Sequence, residues 1–137
     1  IADNYILPTI WGKDVLVHRF TDELKQLIYL LKGVSDYDFN ICLTNYYSSG
    51  KNFIGWHSDN EAINGREPTI ASVSLGATRR FDLRHRETKE TVKVDLDSGS
   101  LLVMSGLSQQ CWVHQIAKTA KPVGPRINLT FRLVQSV

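Results

Sequence analysis

From Phe39 onward the chain divides into short stretches in which apolar and polar residues alternate, each closed by turn-forming residues. No other feature restricts the fold as much. A period of two puts successive side chains on opposite faces of a strand, so each stretch has one face to bury against another sheet. The stretches are "FNICLTNYY" (39–47), "FIGWHSD" (53–59), "TIASVSLG" (69–76), "RRFDLRH" (79–85), "ETVKVDL" (90–96), "SLLVMS" (100–105), "QCWVHQI" (110–116) and "INLTFRLV" (127–134). Turns such as "SSGKN" and "DSG" and the loop "NEAINGREP" separate them. Short strands at this spacing predict antiparallel sheets packed as a sandwich or barrel.

One stretch has the period of a helix. "TDELKQLIYLLKG" offers Thr21 as a cap, Asp22 and Glu23 for the positive end, and Gly33 for the stop. Leu24, Leu27, Ile28, Leu30 and Leu31 form its apolar stripe, so the helix is expected to be scaffold. "DVLVHR" (14–19) alternates weakly and is expected as an extra first strand. The fold class expected is therefore mainly β with one or two helices.

With 137 residues, 42% hydrophobic and 22% charged, and no repeat or linker, the chain fits one domain with an ordinary core. No apolar run approaches the roughly 20 residues that cross a bilayer, so no membrane partner is expected. Cys42 and Cys111 have no metal-type spacing, which excludes a disulfide scaffold and suggests an intracellular setting, cytoplasmic or nuclear. A net charge of +2 says little about polyanions. The segment 79–93 does gather Arg79, Arg80, Arg84, Arg86, Lys89 and Lys93, which suits either a solvated strand pair or a phosphate-contacting rim.

"IGWHSDNE" raises the question of chemistry. Alternation puts His57 and Asp59 on one face, two metal-capable groups side by side. His18, His85 and His114 remain as a third ligand, and His114 in "CWVHQI" is the best placed. Two histidines and a carboxylate make the facial triad of non-haem iron(II) oxygenases, which leaves positions open for co-substrate and oxygen. A lone His-x-Asp pair is also common as satisfied structural polar groups. "PRINLTFRLV" adds a second signal: Arg126, Asn128, Thr130 and Arg132 share one strand face, with Ile127, Leu129, Phe131 and Leu133 on the other. That face is either an outer wet face or a carboxylate-binding one. The two arginines are about 20 Å apart by strand rise, and their planar forks can lean inward on the ends of a short dicarboxylate.

Taken together, "NYY" (45–47), "WHSDNE" (56–61), "PTIASVSLGATRRF" (68–81), "SGSLLVMSG" (98–106) and "PRINLTFR" (125–132) resemble the AlkB family of iron(II)- and 2-oxoglutarate-dependent dioxygenases, in order, from about Phe39 to Leu133. The resemblance implies a double-stranded β-helix, or jelly roll, with a catalytic core at about 39–134 and a short substrate-recognition region at about 1–38. It implies His57, Asp59 and His114 as iron ligands. Asn45, Tyr47, Arg126, Asn128 and Arg132 are implied as 2-oxoglutarate contacts, with Arg126 at the distal carboxylate and Arg132 nearer the metal. Glu61 is implied near the exocyclic group of a base, and Trp11 as an aromatic beside it. Arg79 is a further candidate for substrate contact.

The implied reaction is oxidative dealkylation of N-alkylated bases, such as 1-methyladenine or 3-methylcytosine, using O₂ and coupled to conversion of 2-oxoglutarate to succinate. The partner would be single-stranded or base-flipped DNA or RNA, and the chain a monomer. The same core also suits a hydroxylase of a protein side chain or a small molecule. A third possibility, a non-catalytic binding module, is disfavoured by the full set of expected ligands. Fold alone does not choose among these.

Overall fold

The computed structural model describes residues 17–61 and 64–134. Its elements are α1 (Asp22–Leu31), β1 (Ile41–Tyr47), β2 (Ile54–His57), β3 (Ile70–Gly76), β4 (Arg79–His85), β5 (Thr91–Leu96), β6 (Leu101–Met104), a single turn α2 (Ser108–Cys111), β7 (Trp112–Ile116) and β8 (Arg126–Arg132). Two four-stranded sheets, ordered β1-β8-β3-β6 and β2-β7-β4-β5, are antiparallel throughout. This is the expected jelly roll. Each of the eight alternating stretches matches one of its strands, β8 starting one residue earlier at Arg126.

Alternation supplies two cores. The inner one lies between the sheets and includes Tyr47, Ile70, Phe81, Leu96, Met104 and Ile116. The other lies behind the first sheet, where Cys42, Ala71, Val73, Leu129 and Phe131 meet Phe20, Leu24 and Leu31. Each Leu or Phe so buried contributes about 2 kcal/mol of transfer free energy. α1 is therefore scaffold on the face opposite the cavity, even though it falls within the region expected to recognise substrate.

Thr21 caps α1 as its position suggested, accepting from the Leu24 N–H at 3.3 Å. The stop differs. The helix ends at Leu31 on a right-handed Lys32, and Gly33 takes no left-handed conformation. Leu30 also leaves the expected stripe and is 61% exposed. The strand expected over 14–19 is not formed in its described part, residues 17–19. Gly76 bends the chain at φ +93°, where a Cβ would also run into the Pro125 carbonyl.

β2 is shorter than its stretch. It stops at His57, and its pairing with β7 shifts register between Ile54 and His57. Asp59 thus lies beyond the ladder, in backbone of no regular structure.

Candidate metal and co-substrate site

His57 and His114 are direct cross-strand partners on β2 and β7, with ring centroids 4.4 Å apart. Asp59 reaches the same point: its Oδ1 lies 4.0 Å from His57 Nε2 and its Oδ2 3.6 Å from His114 Nε2. One donor atom from each of the three falls within 4.8 Å of the others. The carbonyl of Gly55 lies 2.7 Å from His57 Nδ1. A carbonyl only accepts, so Nδ1 carries the proton and the Nε2 lone pair faces the cluster. Phe81 stacks on His114 at 5.2 Å and shields its other side. Two imidazole nitrogens and one carboxylate, gathered this closely, suit a divalent first-row metal such as iron(II).

Asp59 is only 7% exposed. Burial pushes its carboxyl up, but the polar contact with His114 and the charges of Arg132, His114 and His57 outweigh that and hold it below the usual carboxylate value. Arg132 Nη2 lies 3.4 Å from Asp59 Oδ1, which places this arginine at the metal end of the cavity.

The other end belongs to Arg126. β8 turns its even-numbered polar face inward, not to water, and its side chains line a cavity shared with Asn45 and Tyr47 from β1. Arg126 is 1% exposed. Its Nη2 donates to Ser74 Oγ at 2.9 Å and the Tyr47 side chain lies in polar contact with the guanidinium, whereas Nε and Nη1 make no hydrogen bond of good geometry. The guanidinium lies over the Tyr47 ring at 5.1 Å. A buried cation with two idle donors is costly unless an anion completes it, and a carboxylate of 2-oxoglutarate fits that need. Asn128 lines the same wall, with its Nδ2 donating to Ser72 Oγ at 2.7 Å and to the Val73 carbonyl at 3.2 Å.

Arg79 is placed differently from expectation. It is 3% exposed, and its guanidinium donates to the carbonyls of Ser49, Asn52 and Ala117. It also lies over the Tyr47 ring at 5.6 Å. Three backbone carbonyls hold the guanidinium, so Arg79 braces the wall behind Tyr47. Glu61 sits where the backbone leaves the site, with its Oε2 accepting from Asn64 Nδ2 at 3.0 Å. Trp11 lies outside the described residues.

Two features were not read as site parts from sequence. Ser72 and Ser74 serve Asn128 and Arg126, and their period-two spacing opposite the polar face of β8 was the available signal. Gln109, fully buried beneath Asp59, had none.

The 2OG-Fe(II) oxygenase superfamily matches residues 12–132. The human protein "Alpha-ketoglutarate-dependent dioxygenase alkB homolog 3" is 43% identical to this chain, over 81% of this chain and 42% of that protein. "DNA oxidative demethylase ALKBH2" of Arabidopsis thaliana is 39% identical, over 70% and 38%. This chain therefore spans about two fifths of the length of those curated relatives. A solved structure described as "The structure of OsALKBH1" superposes with a TM-score of 0.58 at 25% identity, covering 82% of this chain and 61% of the other. The family uses iron(II), 2-oxoglutarate and O₂. By its sequence and by the fold that carries its donor cluster, the chain belongs to the 2OG-Fe(II) oxygenase superfamily and, within it, to the AlkB family.

Proposed function

We propose that this chain is the catalytic core of an enzyme that oxidatively removes alkyl groups from nitrogen atoms of nucleic-acid bases. The observation that carries the reading is the pairing of the His57–Asp59–His114 cluster with a buried, under-satisfied Arg126 in one cavity. When bound, iron(II) with 2-oxoglutarate and O₂ supplies the oxidation, in which the keto acid becomes succinate and CO₂ as an N-alkyl carbon gains a hydroxyl and leaves as an aldehyde.

In this reading His57, Asp59 and His114 hold the metal, and the lowered Asp59 carboxyl is already ionised for that role near neutral pH. Arg126 takes the distal carboxylate of 2-oxoglutarate, with Tyr47 and Asn45 beside it. Arg132 balances the charge of Asp59 near the metal, and Asn128 shapes the wall between. Phe81 keeps water from behind His114. The site lies between two sheets, so a base must be flipped out or single-stranded to enter. Glu61 faces the exocyclic group of that base. Residues of about 39–134 form the core and the preceding 38 a short recognition region, α1 excepted.

Support for nucleic acid comes from the relative named a DNA oxidative demethylase. No helix among the described residues is long and apolar enough to cross a membrane. Cys42 and Cys111 form no disulfide, which together with such a substrate favours an intracellular setting, and the reading takes the chain as a monomer. The test is mass spectrometry of methylated oligonucleotides incubated with the protein, iron(II), ascorbate and 2-oxoglutarate. Loss of the methyl group with matching succinate and formaldehyde is expected. Succinate production with every oligonucleotide unchanged would reject base dealkylation and favour a protein or small-molecule hydroxylase.

A further inference from the structure

Two of the three donors sit on a segment that the sheet holds weakly. β2 is an edge strand of four residues, paired with β7 across a register shift, and Asp59 lies two residues past its end. A carboxylate ligand on such backbone needs another restraint, because small displacements at a metal alter its geometry. The structure supplies one. The backbone N–H of Asp59 donates to Gln109 Oε1 at 2.9 Å, with both residues buried. A side-chain amide has one accepting end and one donating end, so this bond decides which way the group points. Oε1 faces Asp59, and Nε2 faces Met104 Sδ at 3.5 Å.

Gln109 lies in α2, five residues before His114, in the turn that launches β7. One side chain therefore links the segment delivering Asp59 to the strand delivering His114. Around it the neighbours of Asp59 are tethered from the outer surface, where Arg86 Nη2 donates to Ser58 Oγ at 2.7 Å and Arg84 covers the Trp56 ring at 4.2 Å. Those contacts hold exposed or half-buried side chains, whereas the Gln109 bond grips the main chain of the ligand itself.

We infer that Gln109 is a positioning residue for the metal site: its Oε1 fixes the Asp59 backbone so that the carboxylate meets His57 and His114 at one point. It touches neither metal nor substrate. The inference rests on the reading of His57, Asp59 and His114 as metal ligands.

Cobalt(II), whose visible absorption reports coordination geometry, is the probe. Titration of the wild type, Gln109→Leu and Gln109→Glu gives affinity and spectrum without reliance on turnover. Gln109→Leu keeps the bulk and removes the acceptor. It is expected to weaken cobalt binding about 10- to 100-fold and alter the band, as loss of a ligand-orienting partner does. Gln109→Glu keeps an oxygen at that position and is expected to restore most of both. Wild-type affinity and spectrum in Gln109→Leu would overturn the inference while leaving the metal reading intact. Equal weakening in both variants would assign the effect to packing and also overturn it. A wild type that takes up no cobalt would reject the metal reading itself and this inference with it. If Gln109→Leu fails to fold, hydrogen exchange of the Asp59 amide in the wild type decides: slow exchange supports the bond, and exchange at the rate of open backbone overturns it.

Discussion

The two ends of the cavity are built by different means. At the Arg126 end, β1 and β8 pair in unbroken register over seven residues, from Ile41↔Arg132 to Tyr47↔Arg126, and β3 flanks β8 on its other side. Every polar group there inherits its position from strands paired in unbroken register. At the metal end, β2 is short, shifted and at an edge, and Asp59 has left it altogether. There the positions depend on side chains: Arg132 on the carboxylate, Gln109 on the amide, Arg86 on the adjacent serine. The comparison teaches that the co-substrate end is fixed by backbone pairing, as are His114 on β7 and Arg132 on β8, whereas the His57–Asp59 segment of the metal end depends on individual contacts. Single substitutions should therefore act differently at the two ends.

The largest effect is expected at the metal end. Asp59→Ala removes a donor and leaves Arg132 buried beside two histidines without its carboxylate, so metal uptake and turnover should fall to background. Cobalt(II) titration and succinate release measure both, and retained uptake would show that the two histidines suffice. At the other end, Arg126→Met should separate binding from stability. Loss of a charge-assisted pair, about 3 kcal/mol, should weaken 2-oxoglutarate binding by roughly 100-fold. Removal of a buried guanidinium with two idle donors should at the same time raise the stability of the metal-free protein by about 1 kcal/mol. Calorimetric titration and thermal melting check the two signs independently.

Arg79→Met tests the wall behind Tyr47. Three part-buried carbonyls lose a hydrogen bond, that of Ser49 keeping the Asn52 N–H, and a destabilisation of about 3 kcal/mol is expected, with metal affinity kept. A variant of normal stability that has lost only nucleic-acid binding would return Arg79 to the substrate side. The smallest effect concerns pH. The Asp59 carboxyl lies below its unfolded value, so its contribution to stability is present above the ordinary carboxylate range and is lost as pH falls through the lower folded value. Acid melting of the metal-free wild type should therefore be steeper than that of Asp59→Asn, and identical slopes would remove Asp59 from the groups driving acid unfolding.

The strands were legible because burial on one face writes a period of two into the residues, and that period survives from Phe39 to Val134. The α1 cap was legible for a similarly local reason, since Thr21 bonds an N–H three residues on. The end of α1 was not. Gly33 suggested a left-handed stop, but the helix closes before it, and Leu30 faces outward because the sheet behind α1 meets only part of the apolar stripe. Arg79 illustrates the same limit at the site. Its place in a basic stretch suggested a surface role, whereas the carbonyls that hold it come from residues 49, 52 and 117.

The amino-acid order alone determined which residue types recur at which spacing: the alternation of the strands, the His-x-Asp pair and the polar face of β8. Those are local, and local geometry follows from the chain's own sterics. Tertiary structure decided which face is inside, which of the expected arginines meets the cavity, and what holds Asp59 after its strand has ended. Such outcomes depend on contacts between segments tens of residues apart, and no spacing within a single segment encodes them.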